Sequence, residues 1–305
     1  MSTQASRRHV IRIRLVRQGL FDGRLRGVTE VTDRLLALQA QDYAAAKWAL
    51  GVRAPGTTLA DVDAAINSGR IVRSWPMRGT LHFVPAADLC CIQPRQQVLV
   101  LLDEWVRSPR RLDRDEALGE FVLRYFDGHG PATLRDFAWW SQLTVADARA
   151  GLAVAADRLA ELVVDGVTYY LAAAADTGDA DAAKGHPTQR SPLLALPAFD
   201  EYLIGYQDRS FAIDDGSLGR VVPGGNGMFL PLILASGRVI GTWRQTKTAR
   251  SVSLEPRPFD PLSAGQAREF ERAVAQYAHL LGLSVGGNPT AAPATAPAEP
   301  EPPLA

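Results

Sequence analysis

The chain has 305 residues, is 47% hydrophobic and 22% charged, and sets 33 basic residues against 33 acidic ones. Such a composition supports two or three domains with real cores and excludes a chain that is disordered throughout. Two cysteines adjacent in sequence, Cys90 and Cys91, exclude a disulfide framework and a four-thiolate zinc or iron–sulfur site.

Charge is unevenly placed. Arg7, Arg8, Arg12, Arg14, Arg17, Arg24 and Arg26 share their segment with Asp22, and a second basic stretch holds Arg238, Arg244, Lys247 and Arg250. Nucleic-acid binding depends on the local field of one face, so zero net charge leaves DNA open as a partner, although clusters of this kind are more often solvated surface. No apolar run is long enough to cross a bilayer, and no signal-peptide core follows the charged N-terminal residues. The expectation is a cytoplasmic protein that makes no membrane contact.

From Arg8 to Leu20, the residues Val10, Ile13, Val16 and Leu20 keep helical spacing while arginines fill the other faces, which predicts a basic amphipathic helix. Thr29 or Thr32 can cap a second helix running to the glutamines at 39 and 41. Tyr43 to Val52 reads as a third, and Thr58 caps a fourth from Leu59 to Ile66 that Asn67-Ser68-Gly69 stops. Ile71 to Ser74 and Thr80 to Val84 are β-prone runs joined through Trp75-Pro76-Met77-Arg78-Gly79, whose proline and glycine favour a reversal. Helices followed by a hairpin predict a winged-helix unit, here over 8–107 including a connecting helix from Ala86 to Arg107.

The pattern recurs over 113–172. A helix spans Asp115 to Phe126, Thr133 caps Leu134 to Trp140, and Thr144 caps Ala146 to Val163. Asp165-Gly166 then turns the chain between Leu162-Val163-Val164 and Val167 to Leu171. Asp147, Asp157 and Glu161 offset Arg149 and Arg158 on its third helix, so this copy is expected to serve architecture. Residues 173–192 read as a mobile linker or loop. A β-rich module is expected over 193–284. It holds an apolar run from Leu193 to Tyr206 interrupted by Asp200 and Glu201, then strands Met228 to Leu234, Val239 to Arg244 and Ser251 to Glu255. Ser263 caps a last helix through Leu281, and residues 285–305, rich in Pro, Ala and Glu, read as a disordered tail.

One stretch asks for a chemical reading. Leu35 to Gln41 is Leu-Leu-Ala-Leu-Gln-Ala-Gln. On a continued α-helix Gln39 and Gln41 would stand about 200° apart and could not serve one site. They converge if regular helix ends near Leu38, because extended backbone brings positions two apart toward one side. Taken alone, the pair reads as two exposed helix residues.

Four blocks stand in one order: Leu38-Gln39-Ala40-Gln41, Arg73 to His82, Ala198-Phe199-Asp200-Glu201-Tyr202-Leu203, and Gly241-Thr242-Trp243-Arg244. Together, from about Val10 to about Leu281, they resemble the winged-helix family of AlkZ- and YcaQ-like bacterial DNA glycosylases. The resemblance implies an α+β fold, with tandem winged-helix units and a C-terminal small β-barrel-like module around a DNA channel. It also implies catalytic roles for Gln39 and Gln41, with Asp42 next in line as a candidate lesion contact.

The chemistry is consistent with neutral amides. Alkylation at N7 puts a positive charge on a purine, so the base departs without a general acid and the sugar passes through an oxocarbenium-like state. A glutamine carbonyl can accept a hydrogen bond from the attacking water and face the developing charge. The lysines are Lys47, Lys184 and Lys247, and only Lys47 lies near the glutamines in sequence, where a solvated helix residue is the plainer reading. A monofunctional enzyme that leaves an abasic site is therefore expected, acting as a monomer on double-stranded DNA with alkylated or crosslinked purines, without metal or cofactor, and associated with the nucleoid. Arg73, Arg78, His82 and Arg244 are candidate phosphate contacts. Trp75 is a stacking residue or a core plug, and Asp200 and Tyr202 contact a lesion or anchor the C-terminal module. The competing readings are a noncatalytic winged-helix regulator and a noncatalytic partner in repair or self-protection.

Overall fold

The computed structural model describes residues 3–21, 25–89, 110–173 and 193–287. Its first elements are β1 (Thr3–Gln4), α1 (Arg7–Arg17), α2 (Val28–Leu35), β2 (Leu38–Gln39), α3 (Tyr43–Arg53), α4 (Leu59–Asn67), β3 (Ile71–Met77) and β4 (Thr80–Pro85). Local chemistry sets several of their ends. Asp42 caps α3 through Ala45, and Thr58 with Asp61 forms a capping box on α4. The reversal between β3 and β4 is the two-residue turn Arg78-Gly79, both at positive φ as a tight hairpin of matching twist requires. The sheet order β2-β4-β3 leaves β2 on an edge.

The second group comprises α5 (Arg114–Gly128), α6 (Leu134–Ser141), α7 (Val145–Val154), β5 (Leu159–Val164) and β6 (Val167–Ala172). The helix expected to reach Val163 stops at Val154. Residues 159–164 instead form the middle strand of the sheet β1-β5-β6, pairing antiparallel with β6 and parallel with β1. Ladder bonds on both edges there outweigh a weak local helix preference. The N-terminal strand that completes this sheet is not legible from so short a segment.

Two arginines of the basic helix α1 are spent inside the protein, while Arg7 and Arg8 stay exposed. Arg14 is buried and donates to the Pro131 carbonyl, while buried Arg17 donates to the carbonyls of Asp127 and Ala172. These arginines tie α1 to the second group and do not present charge to a partner.

The C-terminal part contains β7 (Leu194–Leu196), α8 (Glu201–Ile204), α9 (Asp215–Val221), β8 (Leu232–Ala235), β9 (Arg238–Lys247), β10 (Ser251–Pro258), α10 (Ala264–Leu281) and β11 (Ser284–Val285). The strand order β11-β10-β9-β8-β7 has two edges, so the expected barrel is an open, curled half-barrel. The fold is α+β. Its largest core draws Leu15 and Val16 from α1 and Trp48 from α3 into the apolar side of this sheet, with Phe270, Val274 and Tyr277 of α10. A second core joins Leu36, Val72 and Val84 to Phe121, Tyr125 and Trp140. Burial thus crosses the boundaries between the two expected N-terminal units and the C-terminal module, and the site lies where these parts meet. Of the expected connecting helix, Ala86–Asp88 is a 3₁₀ turn, and residues 90–107 lie outside the described residues. So do nearly all of the expected linker, beyond Ala173, and the expected tail beyond Gly287.

Candidate active site

Helix α2 ends before the glutamines. Leu36 takes φ of +61°, a conformation that a leucine adopts only at a cost, and the chain leaves the helix as the edge strand β2. Leu38 and Ala40 turn into the core beneath, in company with Val31, Leu50 and Phe83. The period of two then directs Gln39 and Gln41 to the opposite face. This is the geometry under which the two amides can share a site.

Their environments differ. Oε1 of Gln41 accepts the Leu81 N–H at 3.2 Å, and the residue is exposed. Oε1 of Gln39 is buried and has no hydrogen-bond partner among the described residues. An orphaned buried carbonyl is costly and calls for an explanation. The backbone between them is held from β3 by Arg73, whose Nε donates to the Ala40 carbonyl at 3.0 Å and whose Nη2 donates to the Gln41 carbonyl at 3.3 Å.

Behind Gln39 lies Glu201, a fully buried carboxylate that meets four donors. Oε1 accepts from the Gln39 backbone N–H and from Arg78 Nη2, both at 3.2 Å. Oε2 accepts from Trp140 Nε1 at 3.0 Å and from His129 Nε2 at 3.4 Å. The edge strand's outward N–H is therefore satisfied by a side chain and not by another strand. Burial alone pushes the Glu201 carboxyl up, but the Arg78 guanidinium and the hydrogen bond from His129 together bring it down to about 2. Burial, reinforced by Arg78, lowers His82 to about 3, and burial also lowers His129. Both imidazoles are thus neutral near pH 7. His82 Nδ1 donates to the Thr80 carbonyl, so its Nε2 accepts from Arg78 at 2.9 Å.

This arrangement corrects two expected phosphate contacts. The Arg78 side chain is only 10% exposed and is occupied by Glu201, His82 and the Ile204 carbonyl, while His82 is wholly buried. Arg78 has no carboxylate close to it in sequence, and its partner comes from 123 residues away. Of the two readings of Asp200 and Tyr202, burial favours the anchor, since each is 2% exposed. Asp200 makes a bidentate pair with Arg53 at 2.7 and 2.8 Å, and Arg53 also donates to Gln18. Tyr202 donates to the Gly237 carbonyl. Asp200 anchors the C-terminal part to α3, and Tyr202 ties α8 to the turn between β8 and β9.

Around this interior the remaining candidates lie at the surface. Trp75 is 38% exposed on the same strand as Arg73, so it is not a core plug. Arg244 is exposed on β9, and Asp42 is exposed at the start of α3. Lys47 pairs with Asp63 and sits over the Tyr43 ring, a placement that suits a structural cation. Among the described residues no group of three or more His, Cys, Asp or Glu side chains is disposed to hold a metal ion, and no helix is long and apolar enough to cross a membrane.

Sequence reasoning overlooked Glu201, Arg53, His129 and Trp140. The available signal was the pair Asp200-Glu201 inside an otherwise apolar run, because carboxylates buried there require cationic partners from elsewhere in the chain.

The chain belongs to a family of DNA glycosylases. The matching description is "DNA glycosylase AlkZ-like", over residues 32–101 and 90–280, as the ordered motifs suggested. Among solved structures, Streptomyces sahachiroi DNA glycosylase AlkZ shares the fold with a TM-score of 0.74 at 19% identity, covering 93% of this chain and 98% of that one. No curated protein matches the sequence.

Proposed function

We propose that the protein is a monofunctional, metal-independent DNA glycosylase that hydrolyses the N-glycosidic bond of N7-alkylated purines, crosslinked ones included, in double-stranded DNA. The observation that carries this reading is the unpartnered, buried Oε1 of Gln39 on a strand face shared with Gln41. Rotation of the Gln39 side chain out of this unpartnered setting would bring its carbonyl to a water, which would donate one hydrogen bond to the amide and direct its lone pair toward C1′. As the C1′–N9 bond breaks, its electron pair goes to the cationic base, which leaves neutral. The water oxygen bonds to C1′ and its proton passes to solvent. Glutamine takes no proton in this sequence; it positions water and opposes positive charge on the sugar.

The surrounding residues keep the amides in place. Arg73 fixes the backbone carbonyls of Ala40 and Gln41, and Glu201 fixes the Gln39 N–H. We read the helices followed by the β3–β4 and β5–β6 hairpins as two winged-helix units, with Arg73, Trp75 and Arg244 meeting DNA. The protein acts as a cytoplasmic, nucleoid-associated monomer.

Single-turnover excision of N7-methylguanine at saturating protein tests the reading. Gln39→Ala lowers the rate by about 10², roughly 3 kcal/mol of barrier, with DNA affinity nearly intact. Gln41→Ala has a smaller effect, because its carbonyl is already engaged by Leu81. The product is an abasic site without strand cleavage, and chelators leave the rate unchanged. Excision by Gln39→Ala at the wild-type rate would refute the mechanism.

A further inference from the structure

Arg209 lies in the segment between α8 and α9 and takes no part in the chemistry above. Its guanidinium packs over two aromatic rings, 5.2 Å from the centroid of Trp139 on α6 and 5.1 Å from that of Phe229 ahead of β8. Nε donates to the Leu203 carbonyl at 3.1 Å, which fixes the plane of the group against these rings. Phe229 is itself braced edge-on by Phe199, with centroids 6.1 Å apart, and the Leu230 N–H beside it donates to the Val221 carbonyl at 3.0 Å.

The surroundings give this cation no counter-ion. Among the described residues its Nη1 and Nη2 meet no acceptor, and neither is sealed from solvent. Asp136 is the carboxylate whose charge reaches it, and that carboxylate is spent. Its Oδ1 accepts from the Gln207 and Asp208 N–H groups, and its Oδ2 from the Thr133 N–H and hydroxyl. Arg78 packs over the same Trp139 ring at 5.8 Å, and its charge adds to burial in lowering the Arg209 pKa, although a guanidinium stays charged near pH 7. A methionine or leucine would cover the two rings without bringing a charge into a half-buried place beside a second cation. A planar fork held rigid, with both ends free and its charge costly when alone, is built to receive an anion.

We infer that Arg209 clamps a backbone phosphate of the DNA close to the lesion. The path to the site is short. Arg78 donates at 3.2 Å to the Glu201 oxygen that also holds the Gln39 backbone N–H at 3.2 Å, and Arg78 and Arg209 share Trp139. These contacts keep the phosphate within about five nucleotides of the reacting base, at roughly 3.4 Å of duplex per step. A full negative charge relieves the repulsion from Arg78, whereas a neutral base edge leaves it in place, so the ligand is phosphate and the contact carries no sequence preference. This inference rests on the reading of the protein as a DNA glycosylase and adds a contact to it.

The test is a binding titration on a duplex with a single N7-methylguanine, in which each phosphate up to five steps either side of the lesion, on both strands, is replaced in turn by an uncharged methylphosphonate. The wild-type protein is expected to lose about tenfold in affinity at one position or at two adjacent ones. Arg209→Met keeps an apolar side chain over the rings. It is expected to bind the unmodified duplex about tenfold more weakly, to lower the salt dependence by about one unit of slope, and to be indifferent to neutralisation at the position that matters to the wild type. Arg209→Gln takes its place if melting curves show that Arg209→Met has lost its fold. A wild-type scan without a sensitive phosphate overturns the inference, as does a folded variant with wild-type affinity. So does a variant that binds more weakly yet still responds to every methylphosphonate as the wild type does, which is the mark of a structural role. The glycosylase reading fails separately: if the wild-type protein binds the duplex and excises nothing, that reading ends and the scan still decides the clamp. A wild-type protein that binds no duplex overturns the clamp.

Discussion

Replacing Glu201 by Gln keeps the shape of the side chain and removes its charge, which makes it a direct test of the buried network. In the native protein each carboxylate oxygen accepts from two donors. An amide offers one accepting oxygen and turns N–H groups toward two donors. The Arg78 side chain, 10% exposed, then loses its carboxylate while its Nε is already without a partner among the described residues. Because the partner side chain is 0% exposed, solvent screening cannot absorb the change. Removing one member of such a buried pair costs about 3–5 kcal/mol. That is a large fraction of the roughly 5–15 kcal/mol that holds a typical domain together. Urea unfolding at pH 7 measures it. The double variant Glu201→Gln/Arg78→Met should recover part of the loss, since the stranded cation is gone. A Glu201→Gln destabilisation below about 1 kcal/mol, the worth of an exposed pair, would refute the account.

Acid should destabilise the fold in two stages. His82, held at about 3 against an ordinary 6.5, resists protonation only in the folded state, so stability begins to fall as pH drops below 6.5. Glu201, held at about 2 against an ordinary 4.5, adds a second loss as pH drops below 4.5. Each group contributes up to about 1.4 kcal/mol per pH unit within its window; a melting temperature that stays flat from pH 7 to pH 4.5 would contradict the His82 assignment, and one that falls no more steeply below pH 4.5 than above it would contradict that of Glu201. At the surface, Arg244 makes no ion pair among the described residues. Arg244→Ala should therefore weaken damaged and undamaged DNA alike and reduce the salt dependence of binding by about one unit of slope; an unchanged slope would remove Arg244 from the interface.

Much of this protein was legible locally. Thr58, Thr133, Thr144 and Ser263 announced the starts of their helices because a cap involves residues only three apart. The Asp165-Gly166 turn, with both residues at positive φ, was legible for the same reason. The ordered blocks from Gln39 to Arg244 were enough to suggest the family. The pattern Leu38-Gln39-Ala40-Gln41 contained the alternation that separates core from site, but only the turn at Leu36 decided that it would be strand and not helix. Tertiary structure alone decided what the charges do. Arg78 read as a phosphate contact, and Asp200 as a lesion contact or an anchor, because Glu201 and Arg53, which occupy them, lie 123 and 147 residues away. The middle strand of the second group likewise depended on Thr3–Gln4, some 160 residues earlier. Hydrogen bonds and ion pairs act over a few ångströms of space, without regard to separation along the chain. Short-range signals can therefore mark where helices begin, while burial and the assembly of distant segments determine which polar groups remain for chemistry.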